Sequence, residues 1–429
     1  MRMRTALIMS AMIVGVAGVA LAGVAMLSPN EELGKAIFFD DNLSLNRNQA
    51  CAACHAPDVG FTGPLSDINA GGSVYEGSVL GRFGARKPPA ASYATPSPIF
   101  HFVIDRKEPL FIGGNFWDGR ATGDKLGNPA ADQAQGPFLN PVEQALSDNA
   151  CVVYRVCDLA NGYPVSFQSV WGVAACDIAW PMGVETTCAT EGMMVALSPA
   201  DRAKVDMAYD QIALSIAEYE DSAEVNSYSS KYDAVLAGLA DFTKEEKRGF
   251  NIFSGRGKCA NCHVIDRRAN GDPALLTDFT FDNLGVPKNP DNPVYSVEPD
   301  FVDYGLGGFL ATLGDVYEPM VEDNLGKHKV PTLRNVFKAP YAGFVKAYTH
   351  NGYFKTLEQI VHFYNTRDAK PACADPLTRV DEAMAMNCWP APEVEENVND
   401  SELGNLHLSP AQEADLVEFM KTLDDGYMP

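Results

Sequence analysis

Two five-residue segments constrain this chain more than anything else in it: Cys51-Ala52-Ala53-Cys54-His55 and Cys259-Ala260-Asn261-Cys262-His263. Two thiols at this spacing add to the two vinyl groups of a haem, and the histidine that follows becomes an axial iron ligand. The imidazole must be neutral, and its second ring nitrogen normally has a hydrogen-bond partner. A zinc knuckle or a redox Cys-x-x-Cys pair would leave a histidine after both pairs unexplained. Each motif is also led by the same kind of segment. Gly34-Lys35-Ala36-Ile37-Phe38 precedes the first, and Gly249-Phe250-Asn251-Ile252-Phe253 precedes the second. Both read as short helices, the second opened by the capping box Thr243-Lys244-Glu245-Glu246. A helix that delivers the chain to CxxCH begins a cytochrome c unit. The expected fold is mainly α, with two tandem cytochrome c-like domains, each carrying one covalent c-type haem.

The chain of 429 residues is long enough for two such cores. The expected division is a signal segment at 1–22, an N-terminal haem domain at 23–225 and a C-terminal haem domain at 226–429. Met1-Arg2-Met3-Arg4 is a basic n-region before an apolar run from Ala6 to Leu27, and Ala20-Leu21-Ala22 offers a small-x-small cleavage site. The run also approaches the length of an uncleaved anchor. Both readings export the domains, so the expected location is the periplasm, with membrane attachment only if the segment stays on. Export suits covalent haem. It also suits cysteine usage: ten are present, four belong to the haem motifs, and six remain. An even remainder in an oxidising compartment predicts three disulfides. Nearest-neighbour pairing gives Cys151–Cys157, Cys176–Cys188 and Cys373–Cys388, out of fifteen possible pairings. The formal charge of −23, to which haem propionates add, argues against nucleic acid and anionic membranes and for a neutral or basic redox partner.

Other elements follow from pattern. Ser198-Pro199 opens a helix with Val205, Ile212, Ile216 and Tyr219 on one face, and Glu224 to Gly238 leads into the second unit. Residues 149–197 hold four cysteines and many small residues, and read as an insertion on the first domain. Residues 266–328 are rich in Gly, Pro, Asp and Asn and predict loop. Thr356 caps a helix on which Leu357, Ile360 and Tyr364 share a face that His362 does not. The last helix starts at Ser409-Pro410, with Leu416, Phe419, Met420 and Leu423 as its apolar face. Whether the haems carry or catalyse depends on the sixth iron position: a carrier closes both irons, a peroxidase leaves one open. Outside the motifs only His101, His328, His350, His362 and His407 remain, none of them between Ala56 and Phe100.

Further segments fall in a specific order around the two motifs. They are Leu33-Gly34-Lys35 with Phe38-Phe39-Asp40, Phe116-Trp117-Asp118-Gly119-Arg120, Gln133 to Glu143, Val330-Pro331-Thr332-Leu333-Arg334-Asn335, and His350-Asn351-Gly352. In this order the chain resembles the bacterial dihaem cytochrome c peroxidase family, closer to its MauG-like branch. The resemblance implies that hydrogen peroxide reacts at the N-terminal haem. Many members close that haem with a histidine from the loop after the first motif, which is missing here. It implies a distal set of Gln133, Pro137 and Glu143. Glu143 would move a proton between the peroxide oxygens, Gln133 would hydrogen-bond the bound molecule, and Pro137 would fill space. Trp117 would lie between the haems. Tyr364, where other members have Met, would be the sixth ligand of the His263 haem, with Met320, His328 and Met384 as alternatives.

The resemblance also implies calcium between the haems, held by an Asn in an Arg-Asn pair and by carbonyls near an Ala-Pro. Here Arg86-Lys87 replaces the first, while Ala339-Pro340 is kept, and a protonated lysine cannot ligate calcium. The branch passes oxidising equivalents through a Trp two residues before the second CxxCH, a position that is Gly257 here. The expected function is an exported dihaem peroxidase whose target could be a partner protein. Rival readings are a cytochrome c peroxidase fed by a small carrier, and a non-catalytic electron-transfer cytochrome.

Overall fold

The computed structural model describes residues 26–105, 108–160 and 162–428. The signal-segment expectation therefore lies outside the described residues. Among those described, no helix is long and apolar enough to cross a membrane. The helices are α1 (Pro29–Phe38), α2 (Ser66–Ala70), α3 (Pro129–Leu139), α4 (Asn149–Cys157), α5 (Pro164–Trp171), α6 (Val184–Cys188), α7 (Pro199–Asp221), α8 (Lys231–Leu236), α9 (Lys244–Phe253), α10 (Val294–Val297), α11 (Gly305–Leu310), α12 (Leu357–Thr366), α13 (Val380–Met386) and α14 (Pro410–Lys421). Two small antiparallel sheets pair β1 (His101–Asp105) with β2 (Glu108–Ile112), and β3 (Phe281–Asp282) with β4 (His328–Lys329).

The same construction appears twice. In the first unit α1 packs on α7; in the second α9 packs on α14. Side-chain caps start all four: Ser28, Ser198, Thr243 and Ser409 each accept from the backbone N–H of the third helical residue. Each crossing is centred on a glycine. A Cβ on Gly34 would lie 1.8 Å from the Ser215 carbonyl oxygen, and one on Gly249 would lie 2.0 Å from that of Asp415. No other residue allows backbones this close. The apolar faces expected for α7 and α14 are both buried. One core gathers residues from Leu33 to Val225, and a second gathers residues from Tyr232 to Leu423.

Two of the nearest-neighbour disulfides are wrong. The bonds are Cys151–Cys188, Cys157–Cys176 and Cys373–Cys388, with Cα separations of 5.4, 5.6 and 5.1 Å. Cys151 and Cys157 lie on α4, six residues apart, about 9 Å along a helix axis, which is too far to bridge. They instead tie the two ends of α4 to the segment that follows, one bond nested inside the other. Val152, Val153 and Val156 of α4 lie at the centre of the first core, so residues 149–197 are packed into it. The stretch 266–328 is mostly loop, as its composition predicts. The β1–β2 pair, with β1 exposed and Phe111 of β2 buried, was not expected from the weak strand signals of the sequence.

Candidate haem sites and the space between them

The ten cysteines sort themselves: six are paired, and Cys51, Cys54, Cys259 and Cys262 remain as thiols. Each pair lies on a short 3₁₀ turn, Cys51–Ala53 and Cys259–Asn261, in the wall of a large cavity. The N-terminal cavity is lined by Cys51, Cys54 and His55, and the C-terminal one by Cys259, Cys262 and His263. His55 Nδ1 is 3.1 Å from the Phe61 carbonyl oxygen, and His263 Nδ1 is 2.9 Å from that of Leu276. A carbonyl only accepts, so Nδ1 carries the proton and Nε2 keeps its lone pair. Burial lowers both imidazole pKa values, that of His55 to about 4, so both rings are neutral at pH 7. Free thiol pairs, neutral imidazoles with fixed tautomers and two large cavities fit two c-type haems.

Gln133, Pro137 and Glu143 all line the N-terminal cavity. Gln133 and Pro137 are one turn apart on α3, hence on one face. Pro137 has no N–H to donate to the Gln133 carbonyl. Glu143 follows on the turn after the helix, and its Oε1 accepts from Asn140 Nδ2 at 3.1 Å. Burial lifts its carboxyl above the usual range, opposed by the charge of Arg120 and by Asn140. Arg120 is itself fixed by Asp118 and by the face of Phe116, 3.9 Å below its guanidinium carbon. The cavity also holds a carboxyl that pattern reading passed over. Glu220, one turn beyond Ile216 on the buried face of α7, is pushed up to about 8 by burial. The available signal was an acid on an otherwise apolar stripe.

Tyr364 lines the C-terminal cavity with Leu357 and Ile360, the face expected for α12. His362 turns away, with Nδ1 3.0 Å from Glu413. Of the other candidate ligands, His328 lines this cavity too; Met320 packs in the cluster with Phe100 and Phe111, and Met384 beside Trp389. His328 stacks on His350, ring centres 3.6 Å apart and planes at 5°. Asp303 lies 3.3 Å from His328 Nε2, and Glu393 lies 3.9 Å from His350 Nε2. The ligand atoms of Asp303, His328 and His350 lie within 4.8 Å of one another, but the stacked rings would have to tilt before both could aim a lone pair at one ion. His350 Nε2 and Glu393 Oε2 are buried without hydrogen-bond partners and face the cavity, which fits the polar edge of a bound group.

Trp117 belongs to both cavity walls, together with Lys87, Lys329, Val330, Pro331 and Thr332. Its indole N–H donates to the Lys87 carbonyl at 2.8 Å, and its own carbonyl accepts from Lys329 N–H at 2.8 Å. The Val330-Pro331-Thr332 motif is thus the partition between the sites. The donors expected for calcium do not fit that ion. Lys87 Nζ donates to Thr62 Oγ1 and the Pro88 carbonyl, both at 2.9 Å. Lys346 Nζ donates to the carbonyls of Val59, Asn335 and Lys338, the last beside Ala339-Pro340. A hard cation needs several oxygens of this kind, and here ammonium groups hold them.

Comparison with known proteins shows the family. The family model for di-haem cytochrome c peroxidase matches residues 28–241, and a curated relative is 31% identical over 397 residues. The chain belongs to the dihaem cytochrome c peroxidase family: it is a haem peroxidase with two c-type haems, acting on hydrogen peroxide. That relative is the methylamine utilization protein MauG of Paracoccus denitrificans, with 92% of this chain and 88% of that protein covered. The cytochrome c551 peroxidase of Nitrosomonas europaea is 26% identical, over 77% of this chain and 71% of its own. Among solved structures the diheme peroxidase BthA of Burkholderia thailandensis superposes with a TM-score of 0.70 at 28% identity, covering 94% of this chain and 88% of that one. The two cytochrome c-like domains expected from the paired motifs are the architecture of these relatives.

Proposed function

We propose that this peroxidase is of the MauG-like kind. Cys51, Cys54 and His55 would hold the haem at which peroxide is reduced, Cys259, Cys262 and His263 would hold one that shares its oxidising equivalents, and the target would be a partner protein outside the cytoplasm. One observation carries the reading: Gln133, Pro137 and Glu143 face the cavity of His55, and His55 is the only histidine among the described residues lining it. A haem held by Cys51, Cys54 and His55 would have no second imidazole to close it. When bound, the haem supplies the iron and the electrons that reduce peroxide. The chain supplies the rest. The Gln133 carboxamide orients the peroxide by hydrogen bonding. Glu143 takes a proton from one peroxide oxygen and returns it to the other, which leaves as water. Asn140 holds Glu143 in place, and Pro137 excludes water without offering a ligand. Cys259, Cys262 and His263 would hold the second haem, with Tyr364 as its sixth ligand. A phenolate lowers haem potential, which favours storing an oxidising equivalent over drawing electrons from a carrier.

The test is the spectrum of the ferric holoprotein before and after stoichiometric peroxide. The expected result is one high-spin and one low-spin haem, reacting without prior reduction. Two low-spin haems that ignore peroxide would overturn the reading. Turnover with a reduced small cytochrome on the order of hundreds per second would favour the carrier-fed peroxidase instead.

A further inference from the structure

Lys87 and Lys329 lie in the partition between the haem cavities and Lys346 in the wall of the C-terminal one, and the hydrogen-bond partners of each ammonium group are neutral oxygens. Lys87 has a hydroxyl and a carbonyl, and Lys346 has three carbonyls. Lys329 Nζ has Ser97 Oγ at 2.7 Å, Asn115 Oδ1 at 3.0 Å and the Gly114 carbonyl. Hydroxyl, amide and main-chain oxygens are the donor set of a hard metal ion. Buried charges ordinarily have counter-charges. Lys87 and Lys329 wall both cavities, and each haem brings two carboxylates. A divalent ion added among these groups would compete for the same oxygens and be repelled by adjacent ammonium charge. Burial, and next the charge of Lys346, lower the Lys87 pKa to about 7 in the protein alone, so the haem carboxylates are the counter-charge that would keep its ammonium protonated.

We infer that Lys87 is a built-in replacement for a divalent cation: its ammonium supplies the positive charge between the two haems, and this peroxidase takes no calcium. The inference rests on the two haem cavities and the groups between them, not on which partner the enzyme oxidises. A free ion can be lost to chelators or dilution, whereas a side chain cannot.

The experiment uses the purified dihaem holoprotein. Calcium content is measured by mass spectrometry before and after dialysis against EGTA, and the ferric spectrum is followed through dialysis and on re-addition of about 1 mM Ca²⁺. The wild type should hold less than about a tenth of an ion per chain and show no spectral change. Lys87→Asn, which restores a neutral carboxamide oxygen, should take up about one ion per chain and become spectrally calcium-sensitive. A wild type that retains an ion after dialysis, or whose spectrum changes with EGTA, overturns the inference. So does a Lys87→Asn holoprotein indistinguishable from wild type in both readouts. The wild-type measurement decides alone if the variant fails to hold haem.

Discussion

Glu143 shows how one side chain can be tuned by its surroundings. A base must be ionised to take the first proton, and burial lifts this carboxyl above the usual range. The rate of peroxide reaction should therefore rise with pH through that raised pKa and level off above it. Glu143→Gln should remove this limb and slow the reaction roughly 10²–10⁴-fold, with both haems still present by pyridine haemochrome. Stopped-flow traces across pH check both points; an unchanged profile removes Glu143 from the chemistry. That Gln133, Pro137 and Glu143 line one cavity was foreseen from their order and spacing in the family resemblance alone. Glu220 and Lys329 were not. Glu220 offered only its place on the apolar stripe of α7, and the burial of Lys329 comes from packing against distant segments that nothing next to it in sequence reports.

At the scale of elements, the two glycine crossings set the distance between helices that frame each haem. Gly34→Ala and Gly249→Ala should each cost about 1–3 kcal/mol or more, because the obstructing atoms are main chain. Gly136→Ala on α3, whose added methyl meets no non-adjacent atom closer than the Phe116 ring at 3.5 Å, should cost less than either, its gain in helix propensity offset by crowding against the Pro137 ring. Urea midpoints of the holoproteins compare the three. Capped, amphipathic helices such as α7, α12 and α14 were readable because cap and stripe are local signals. The disulfides were misread for the opposite reason. Sequence proximity favours Cys151 with Cys157, but helix geometry holds them apart, and only the tertiary path of residues 158–188 brings their true partners near.

At the scale of the whole molecule, a net charge of −23 steers encounters. Electron delivery by a basic small redox protein should slow on the order of tenfold between ~20 and ~200 mM salt, while a neutral donor should be nearly indifferent. Stopped-flow reduction at several ionic strengths measures this, and equal slopes for both donors would argue against a docking field. The division into two haem units was readable from the paired motifs; the partition they share was not, because it is assembled from segments more than two hundred residues apart. The nested bonds from α4 carry one more consequence, for how such a chain is made. Six thiols must be oxidised while four, in the same molecule, are kept reduced until they meet vinyl groups. One of the three bonds, Cys151–Cys188, skips over Cys157 and Cys176, so oxidation in order of emergence pairs Cys151 with Cys157 wrongly and would consume Cys51 and Cys54 first. Production of active protein should then hinge on timing: haem ligation ahead of oxidation, and an isomerase to correct what oxidation gets wrong.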